Sequence, residues 1–240
     1  MRDRGQRYLD GLQGASSTKN ATRQVLGRLF AHCESRGYTP RGANPFTDTE
    51  RFNGQRENAI EVWSSEEMVK LLACATREFL PCLAIGGFAG LRTSEILALD
   101  WQDVRLAERT IKVSHRKARC AGTRLAPITD NLAKWLWALA RKSGPIWPHG
   151  QTWRERARSI AAAQNATAEA AGLLPRRHNS LRHSLCTFRV AATQDVPRTA
   201  LEAGNSAATI FSHYRALATA AEGKAWFALE PRQAPRMSSR

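Results

Sequence analysis

Long apolar runs are missing from this chain of 240 residues. The longest apolar stretch without a charge, Phe79 to Leu91, is interrupted by one proline and three glycines. A membrane-spanning helix needs about 20 consecutive apolar residues, which is more than this stretch offers. The sequence therefore predicts a protein that does not cross a membrane.

Paired cysteines are missing as well. The five cysteines are odd in number and show no Cys-x-x-Cys spacing, and the chain opens on a polar segment instead of an apolar signal peptide. Disulfides belong to oxidising compartments, so this pattern predicts reduced thiols in the cytoplasm.

Acidic residues are scarce relative to basic ones. The chain has 36 lysines and arginines against 21 aspartates and glutamates, which gives a net charge of +15 and a pI of about 10.6. This excess predicts fast, salt-sensitive association with a polyanion. Charge alone does not choose between a nucleic acid partner and a surface that is merely basic.

The two ends of the chain lack strong patterns. Residues 1–17 are polar and glycine-rich, and we expect them to be disordered, as we do residues 231–240. Apolar residues recur at helical spacing over residues 18–36. Residues 38–59 contain several prolines, glycines and charges and are expected to form a linker.

Residues 60–230 predict one domain that is mostly α-helical with a small three-stranded antiparallel sheet, an α+β fold class. Capping boxes at Ser64 with Glu67 and at Thr152 with Glu155 indicate two helix starts. The helical period is lost between residues 103 and 128, where we predict three short strands at 104–106, 111–113 and 125–128.

Three blocks carry residues suited to chemistry on phosphate. They read Gly-Leu-Arg-Thr-Ser-Glu-Ile-Leu-Ala-Leu-Asp-Trp (90–101), Arg-His-Asn-Ser-Leu-Arg-His-Ser (177–184) and Gly-Asn-Ser-Ala-Ala-Thr-Ile-Phe-Ser-His-Tyr (204–214). In this order, with a lysine-bearing hairpin between the first two, they resemble the active-site boxes of the tyrosine recombinases, the phage integrase family. The resemblance covers residues 60–230.

The resemblance implies the fold of a tyrosine recombinase catalytic domain. It also implies a site-specific recombinase or integrase that breaks and rejoins DNA strands through a 3′-phosphotyrosyl intermediate. No cofactor is expected, because arginine and lysine cations supply the electrostatic stabilisation. The implied partners are double-stranded DNA and further copies of the chain in a tetrameric synapse, in a bacterial cytoplasm at the nucleoid.

Two arginines and a tyrosine fall at the family's catalytic positions. Arg92 and Arg182 are expected to bind phosphate, because the guanidinium fork matches phosphate oxygens and stays charged. Tyr214, nine residues after Asn205, is expected to attack phosphorus as the nucleophile. We expect Glu95 to orient its neighbours as a buried acceptor.

The second and third blocks depart from the family pattern. The family histidine normally stands three residues before the second arginine, where this chain has Asn179, and His178 stands one residue earlier. Either His178 reaches the site through a longer turn or Asn179 has replaced it, and we favour His178. In the third block Asn205 replaces a histidine, and its amide can donate a hydrogen bond to phosphate but cannot carry a proton. His183 is expected to form structural hydrogen bonds.

The resemblance also implies a catalytic lysine in the hairpin. Lys117, in Lys-Ala-Arg, fits the family pattern best. Lys112 is the alternative, although alternation along its strand predicts that it faces outward.

Several hypotheses stay open from the sequence. Residues 18–59 resemble only the last helix of the family's core-binding domain, so the chain is a truncated product, a product with a misassigned start or a minimal recombinase. The main rival function is a non-catalytic, basic DNA-binding remnant. A type IB topoisomerase would share the chemistry, and a metal-dependent nuclease would use His178, His183 and His213. The amphipathic segment 225–229 either docks on a neighbouring copy or folds back on its own core.

Overall fold

The computed structural model describes residues 2–53, 61–114, 123–173, 179–214 and 217–231. Its α-helices are α1 (Arg2–Asp10), α2 (Ser16–Ser35), α3 (Ser65–Cys74), α4 (Leu80–Phe88), α5 (Thr93–Ile96), α6 (Asp130–Trp137), α7 (Trp153–Ala170), α8 (Ser180–Thr193), α9 (Val196–Ala203), α10 (Ala207–Tyr214) and α11 (Ala220–Phe227). Its strands are β1 (Val104–Arg105), β2 (Thr110–Ser114) and β3 (Thr123–Pro127).

The chain divides into two compact units, the first ending at Ala59 and the second beginning at Ile60. Residues 54–59 of the expected linker, residue 60 and residues 232–240 of the expected tail lie outside the described residues.

Helix α1 corrects the expectation of a disordered tail over residues 1–17. Leu9 is fully buried, and the ring of Tyr8 meets Phe46 edge-on, with centroids 6.3 Å apart. Phe46 also contacts Phe30 of α2, at 5.6 Å. The sequence could not predict this helix, because nine mostly polar residues are too few for a clear apolar period.

The core of the second unit forms around α4. Every residue from Pro81 to Phe88 is buried, which explains the uncharged sequence of this helix. Two neighbouring helices begin with the predicted capping boxes, which are confirmed. Ser64 Oγ accepts from the Glu67 amide at 3.1 Å, and Thr152 Oγ1 accepts from the Glu155 amide at 3.2 Å.

The strands form an antiparallel sheet in the order β1-β2-β3. The predicted fold class, mostly helical with one small antiparallel sheet, is confirmed. Across the pair β2 and β3, Val113 lies opposite Arg124, and Lys112 lies opposite Leu125. Directly opposed residues share a face of the sheet. Arg124 therefore lies on the core face with the buried Val113, and Lys112 lies on the other face with the exposed Leu125.

The last helix, α11, folds back on the unit's own core. Trp226 is fully buried, stacks on Phe188 with centroids 4.6 Å apart, and donates its indole N–H to the carbonyl of Gly87 at 3.1 Å. The sequence left open whether segment 225–229 docks on a neighbouring copy or folds back on its own core, and in the structure it folds back. Within the described residues, no helix combines the length and apolar character needed to cross a membrane.

Candidate active site

Arg92 stands at the start of the short helix α5, directly after a sharp turn. Gly90 makes that turn with a φ of 66°, a conformation that glycine adopts without steric cost. The backbone N–H of Arg92 donates to Glu95 Oε2 at 2.8 Å, and its guanidinium donates through Nη1 to Glu95 Oε1 at 3.1 Å. Glu95 therefore fixes both the backbone and the side chain of Arg92.

Arg182 lies in the first turn of α8 and is buried. It donates through Nη1 to the carbonyl of Gly90 at 2.6 Å, so the turn that places Arg92 also orients Arg182. Burial lowers the pKa of Arg182, and the nearby positive charge of Arg92 lowers it further. The guanidinium keeps its charge even so, because its pKa starts far above neutrality.

The two guanidinium groups converge on two shared acceptors. The carbonyl oxygen of Gly204 accepts from Arg92 Nη2 at 3.2 Å and from Arg182 Nη2 at 3.4 Å. Asn205 Oδ1 accepts from the same two nitrogens at 3.3 Å and 2.7 Å. Residues from all three sequence blocks thus meet at one point.

The amide of Asn205 faces the arginines with its oxygen. Its nitrogen points away and donates weakly to Cys186 Sγ at 3.8 Å. The sequence led us to expect Asn205 as a hydrogen-bond donor to phosphate, and here its oxygen instead accepts from the two guanidinium groups. The amide would have to turn over, or move, before it could donate to phosphate.

Arg124 is a member of the site that the sequence analysis missed. It donates to both oxygens of Glu95, at 2.8 Å and 2.9 Å, and its side chain is 12% exposed. Alternation could have revealed it, because Arg124 stands two residues before the buried Ala126 on the same strand face. Glu95 is therefore a buried acceptor for two arginines, as expected.

The carboxyl group of Glu95 stays ionised in this setting. Burial by itself would raise its pKa, but the hydrogen bonds from Arg124 and from the Arg92 backbone, with the charges of both arginines, lower it to about 2. At neutral pH the group carries a full negative charge that fixes the two cations in place.

Tyr214 ends α10 and is buried with 5% of its surface exposed. Its Oη lies 2.7 Å from His183 Nδ1, and the two rings stack with centroids 5.8 Å apart. Burial raises the pKa of Tyr214 to about 12, and the charges of Arg182 and Arg92 offset only part of that rise. His183 is a hydrogen-bonding histidine, as expected, and its partner is the predicted nucleophile.

A model of the phage integrase family matches residues 65–218 of the chain. The chain belongs to the phage integrase family.

Solved structures agree with this membership. The Tn1549 transposon integrase in complex with a circular intermediate DNA superposes with a TM-score of 0.66 at 17% identity, over 93% of this chain and 83% of that one. The lambda integrase bound to DNA gives 0.65 at 14% identity, over 97% and 85%. The XerH site-specific recombinase bound to a palindromic difH substrate gives 0.65 at 17%, over 90% and 68%. At these identities the likeness concerns the fold, which is that of the tyrosine recombinases, as predicted. No curated protein matches the chain.

Two predicted site residues of this phage integrase family member, Lys117 and His178, lie outside the described residues. Asn179, the alternative to His178, begins α8 with a φ of 53°. It lines a mainly apolar cavity of about 220 Å³ together with Arg92 and Arg182, so it stands near the arginine pair. Lys112, the alternative to Lys117, lies on the sheet face opposite Arg124.

No three or more His, Cys, Asp or Glu side chains in the described residues lie close enough together to hold a metal ion. His178 and the side chain of His213, which the nuclease hypothesis needs, are not part of that description.

Proposed function

We propose that this chain is a site-specific DNA recombinase that cuts and rejoins DNA strands through a 3′-phosphotyrosyl intermediate, with Tyr214 as the nucleophile. The convergence of Arg92 and Arg182 on the same two acceptors carries the proposal. Two guanidinium groups that share acceptors lie at the spacing needed to bind two oxygens of one phosphate. Residues 65–218 match the family model, which supports the same chemistry.

The proposed reaction gives each side chain one task. Arg92 and Arg182 bind the non-bridging oxygens of the scissile phosphate and stabilise the negative charge that develops in the transition state. Tyr214 Oη attacks phosphorus and the 5′ oxygen leaves, so the bond energy is conserved in a phosphotyrosine. Lys117 is proposed to protonate the leaving 5′ oxygen as the general acid.

The remaining proposed site residues act on the same phosphate. His178 is proposed to bind phosphate beside the two arginines, and Asn179 is the alternative because it lines the cavity with them. Asn205 is proposed to exchange its present contact with the arginines for a hydrogen bond to the phosphate. Its amide can serve as a donor once it has turned over.

Double-stranded DNA is the proposed partner, and self-association on DNA in a tetrameric synapse is proposed from the family. The net charge of +15 supports a polyanionic partner. Neutralised phosphates release counterions, so DNA affinity should fall at least about tenfold between about 50 and 200 mM salt. A flat response to salt would count against DNA as the partner.

A second candidate function is that of a DNA-binding protein without cleavage activity. Two observations favour it, namely that Asn205 Oδ1 already occupies donors of both arginines and that Tyr214 is buried. Under the main proposal, DNA displaces Asn205 from the arginines and brings the scissile phosphate to Tyr214 Oη. Under the second candidate, neither change occurs.

Trapping of a covalent complex separates the two functions. The chain first selects its binding site from a randomised DNA pool, and the selected duplex is then nicked near the site so that cleavage cannot reverse. The main proposal predicts a protein–DNA adduct that survives denaturation and forms in the presence of a chelator. Selective binding to that duplex without any adduct would support the second candidate.

A further inference from the structure

His183 contacts the atom that the proposed function makes the nucleophile. The two side chains come from different helices, α8 and α10, and the distance from Nδ1 to Oη is 2.7 Å. The ring planes are inclined by only 29°, so the pair is stacked as well as hydrogen-bonded. Because stacking limits rotation of both rings, the ring nitrogen stays directed at the phenol.

A buried phenol needs a proton acceptor before it can attack phosphorus. The pKa of Tyr214 is raised to about 12 by burial, so the phenolate is rare at neutral pH. Proton removal in the transition state by a positioned base contributes about 10²- to 10⁴-fold in rate. The attack therefore depends on a base placed at Oη.

Among the residues that the structure describes, the other charged or titratable groups that act on Tyr214 are poor bases. Arg182 and Arg92 act on it as cations and hold their protons. Cys186 is a buried thiol whose pKa is raised to about 11 by burial, so it too is protonated at neutral pH. From α9, the residues that pack in the same cluster as Tyr214 are Ala200, Ala203 and Val196, none of which can take a proton. His183 places a ring nitrogen at hydrogen-bond distance, 2.7 Å from Oη.

We propose that His183 accepts the phenolic proton of Tyr214 through Nδ1 during strand cleavage. The inference rests on the proposed function. As the bond between Oη and phosphorus forms and the bond to the 5′ oxygen breaks, the proton moves from Oη to Nδ1. The 5′ oxygen takes a separate proton from the general acid, and rejoining reverses both transfers. The tautomer required carries its hydrogen on Nε2.

The substitution His183→Gln tests this role. Glutamine keeps a polar partner near Tyr214 but cannot take a proton, so adduct formation should slow at least about a hundredfold. DNA affinity and the midpoint of chemical unfolding should change little. Histidine titrates between about pH 5 and 8, so the parent's cleavage rate should fall in acid through one proton step that His183→Gln lacks.

A matched control and a rescue guard against a purely structural explanation. His149 also makes a 2.7 Å contact, to Glu78 Oε2, and stands outside the proposed site, so His149→Gln should keep the parental rate and pH profile. In His183→Ala the ring is missing, and added imidazole should restore part of the cleavage rate. A side chain needed only for packing would give no such rescue.

Each outcome decides the inference. The inference is supported if His183→Gln forms the adduct slowly and its rate does not fall in acid, and if imidazole restores part of the rate of His183→Ala. If the parent forms the adduct while His183→Gln keeps the rate and the pH profile, His183 is not the acceptor and the proposed function stands. The inference is also contradicted if His183→Gln is slow but its rate still falls in acid as the parent's does. It is likewise contradicted if imidazole does not restore the rate of His183→Ala. If the parent forms no adduct on its selected nicked duplex, the proposed function fails and takes this inference with it.

Discussion

Two carboxylates in the second unit each bind a pair of arginines, and the two resulting clusters differ in what their arginines contact. The Glu95 cluster consists of Glu95, Arg92 and Arg124, and the Glu202 cluster consists of Glu202, Arg189 and Arg198. Bond lengths do not separate them, since the salt bridges measure 2.8 and 3.1 Å in the first and 2.7 and 2.9 Å in the second. The pKa values do not separate them either. Burial raises the pKa of each carboxyl group, but the arginines outweigh that rise, so both pKa values are lowered.

The difference lies in what the arginines do beyond the carboxylate. Arg92 has Nη2 left to reach Gly204 and Asn205, where it meets Arg182. In the Glu202 cluster, Arg198 is 60% exposed and Arg189 lies over the ring of Phe227 at 5.5 Å. The Glu202 cluster therefore connects α8 with α9. The Glu95 cluster positions Arg92 at the acceptors that it shares with Arg182. Ion-pair geometry alone does not identify a functional arginine.

The largest expected effect comes from the arginines themselves. Arg92→Ala and Arg182→Ala should each reduce adduct formation at least about a hundredfold, the scale of removing one transition-state donor. Arg198→Ala is the matched control, since it also removes one arginine from a paired carboxylate, and it should cleave at nearly the parental rate. Equal losses in Arg92→Ala and Arg198→Ala would erase the distinction between the clusters.

Removing the carboxylates should affect stability unequally. Glu95→Gln takes the carboxylate charge of Glu95 away from Arg124, which is 12% exposed, and should cost about 3 kcal/mol of unfolding free energy. Glu202→Gln leaves Arg198 in solvent and leaves Arg189, which is 15% exposed, over the ring of Phe227, so it should cost about 2 kcal/mol. Chemical denaturation of both variants measures the two costs. A larger loss in Glu202→Gln would show that the Glu202 cluster carries more of the stability.

The glycine at the centre of the arginine contacts offers a finer test. Gly204 has a φ of 65°, and an added Cβ would lie 2.9 Å from Arg124 Nε, whereas Gly172 has a φ of 68° and open space around its Cα. Both alanine substitutions should cost about 1 kcal/mol for the left-handed backbone. Gly204→Ala should cost about 1 kcal/mol more, because Arg124 must move. Equal unfolding midpoints in the two variants would mean that Arg124 adapts freely.

A further effect concerns acid stability. The pKa of Glu95 is about 2 in the folded chain against an ordinary 4.5, so its ionised form stabilises the fold above pH 4.5. This contribution is lost as the pH falls from about 4.5 toward 2. The gap in melting temperature between the parent and Glu95→Gln should therefore narrow in acid. A gap that stays constant from pH 6 to pH 3 would show that the Glu95 charge does not stabilise the fold.

Local patterns in the sequence were enough to predict the helical fold and the two capping boxes. They also marked Arg92 and Arg182 as candidate site residues, because each sits in a block of neighbours that resembles the family's box. The sheet could be predicted because the helical period stops at residue 103 and short apolar segments follow. Each of these features depends on residues close together in the chain.

The features that were missed depend on contacts between distant segments. Arg124 meets Glu95 only because the pairing of β2 and β3 turns it toward the core. The orientation of the Asn205 amide follows from two guanidinium groups that belong to other helices. The contact of His183 with Tyr214 joins residues 31 positions apart. No local period carries the last two contacts, and for Arg124 the alternation of the strand indicates its face but not its partner Glu95.

The most direct test of the central claim is the covalent adduct formed by Tyr214. Tyr214→Phe removes one buried oxygen and its hydrogen bond to His183, while the ring keeps its stacking. Tyr38→Phe is the matched control, since Tyr38 is 75% exposed and lies in the other unit. On the selected nicked duplex, the parent and Tyr38→Phe should form the denaturation-resistant adduct, and Tyr214→Phe should bind DNA but form none. An adduct from Tyr214→Phe as abundant as the parent's would contradict the account.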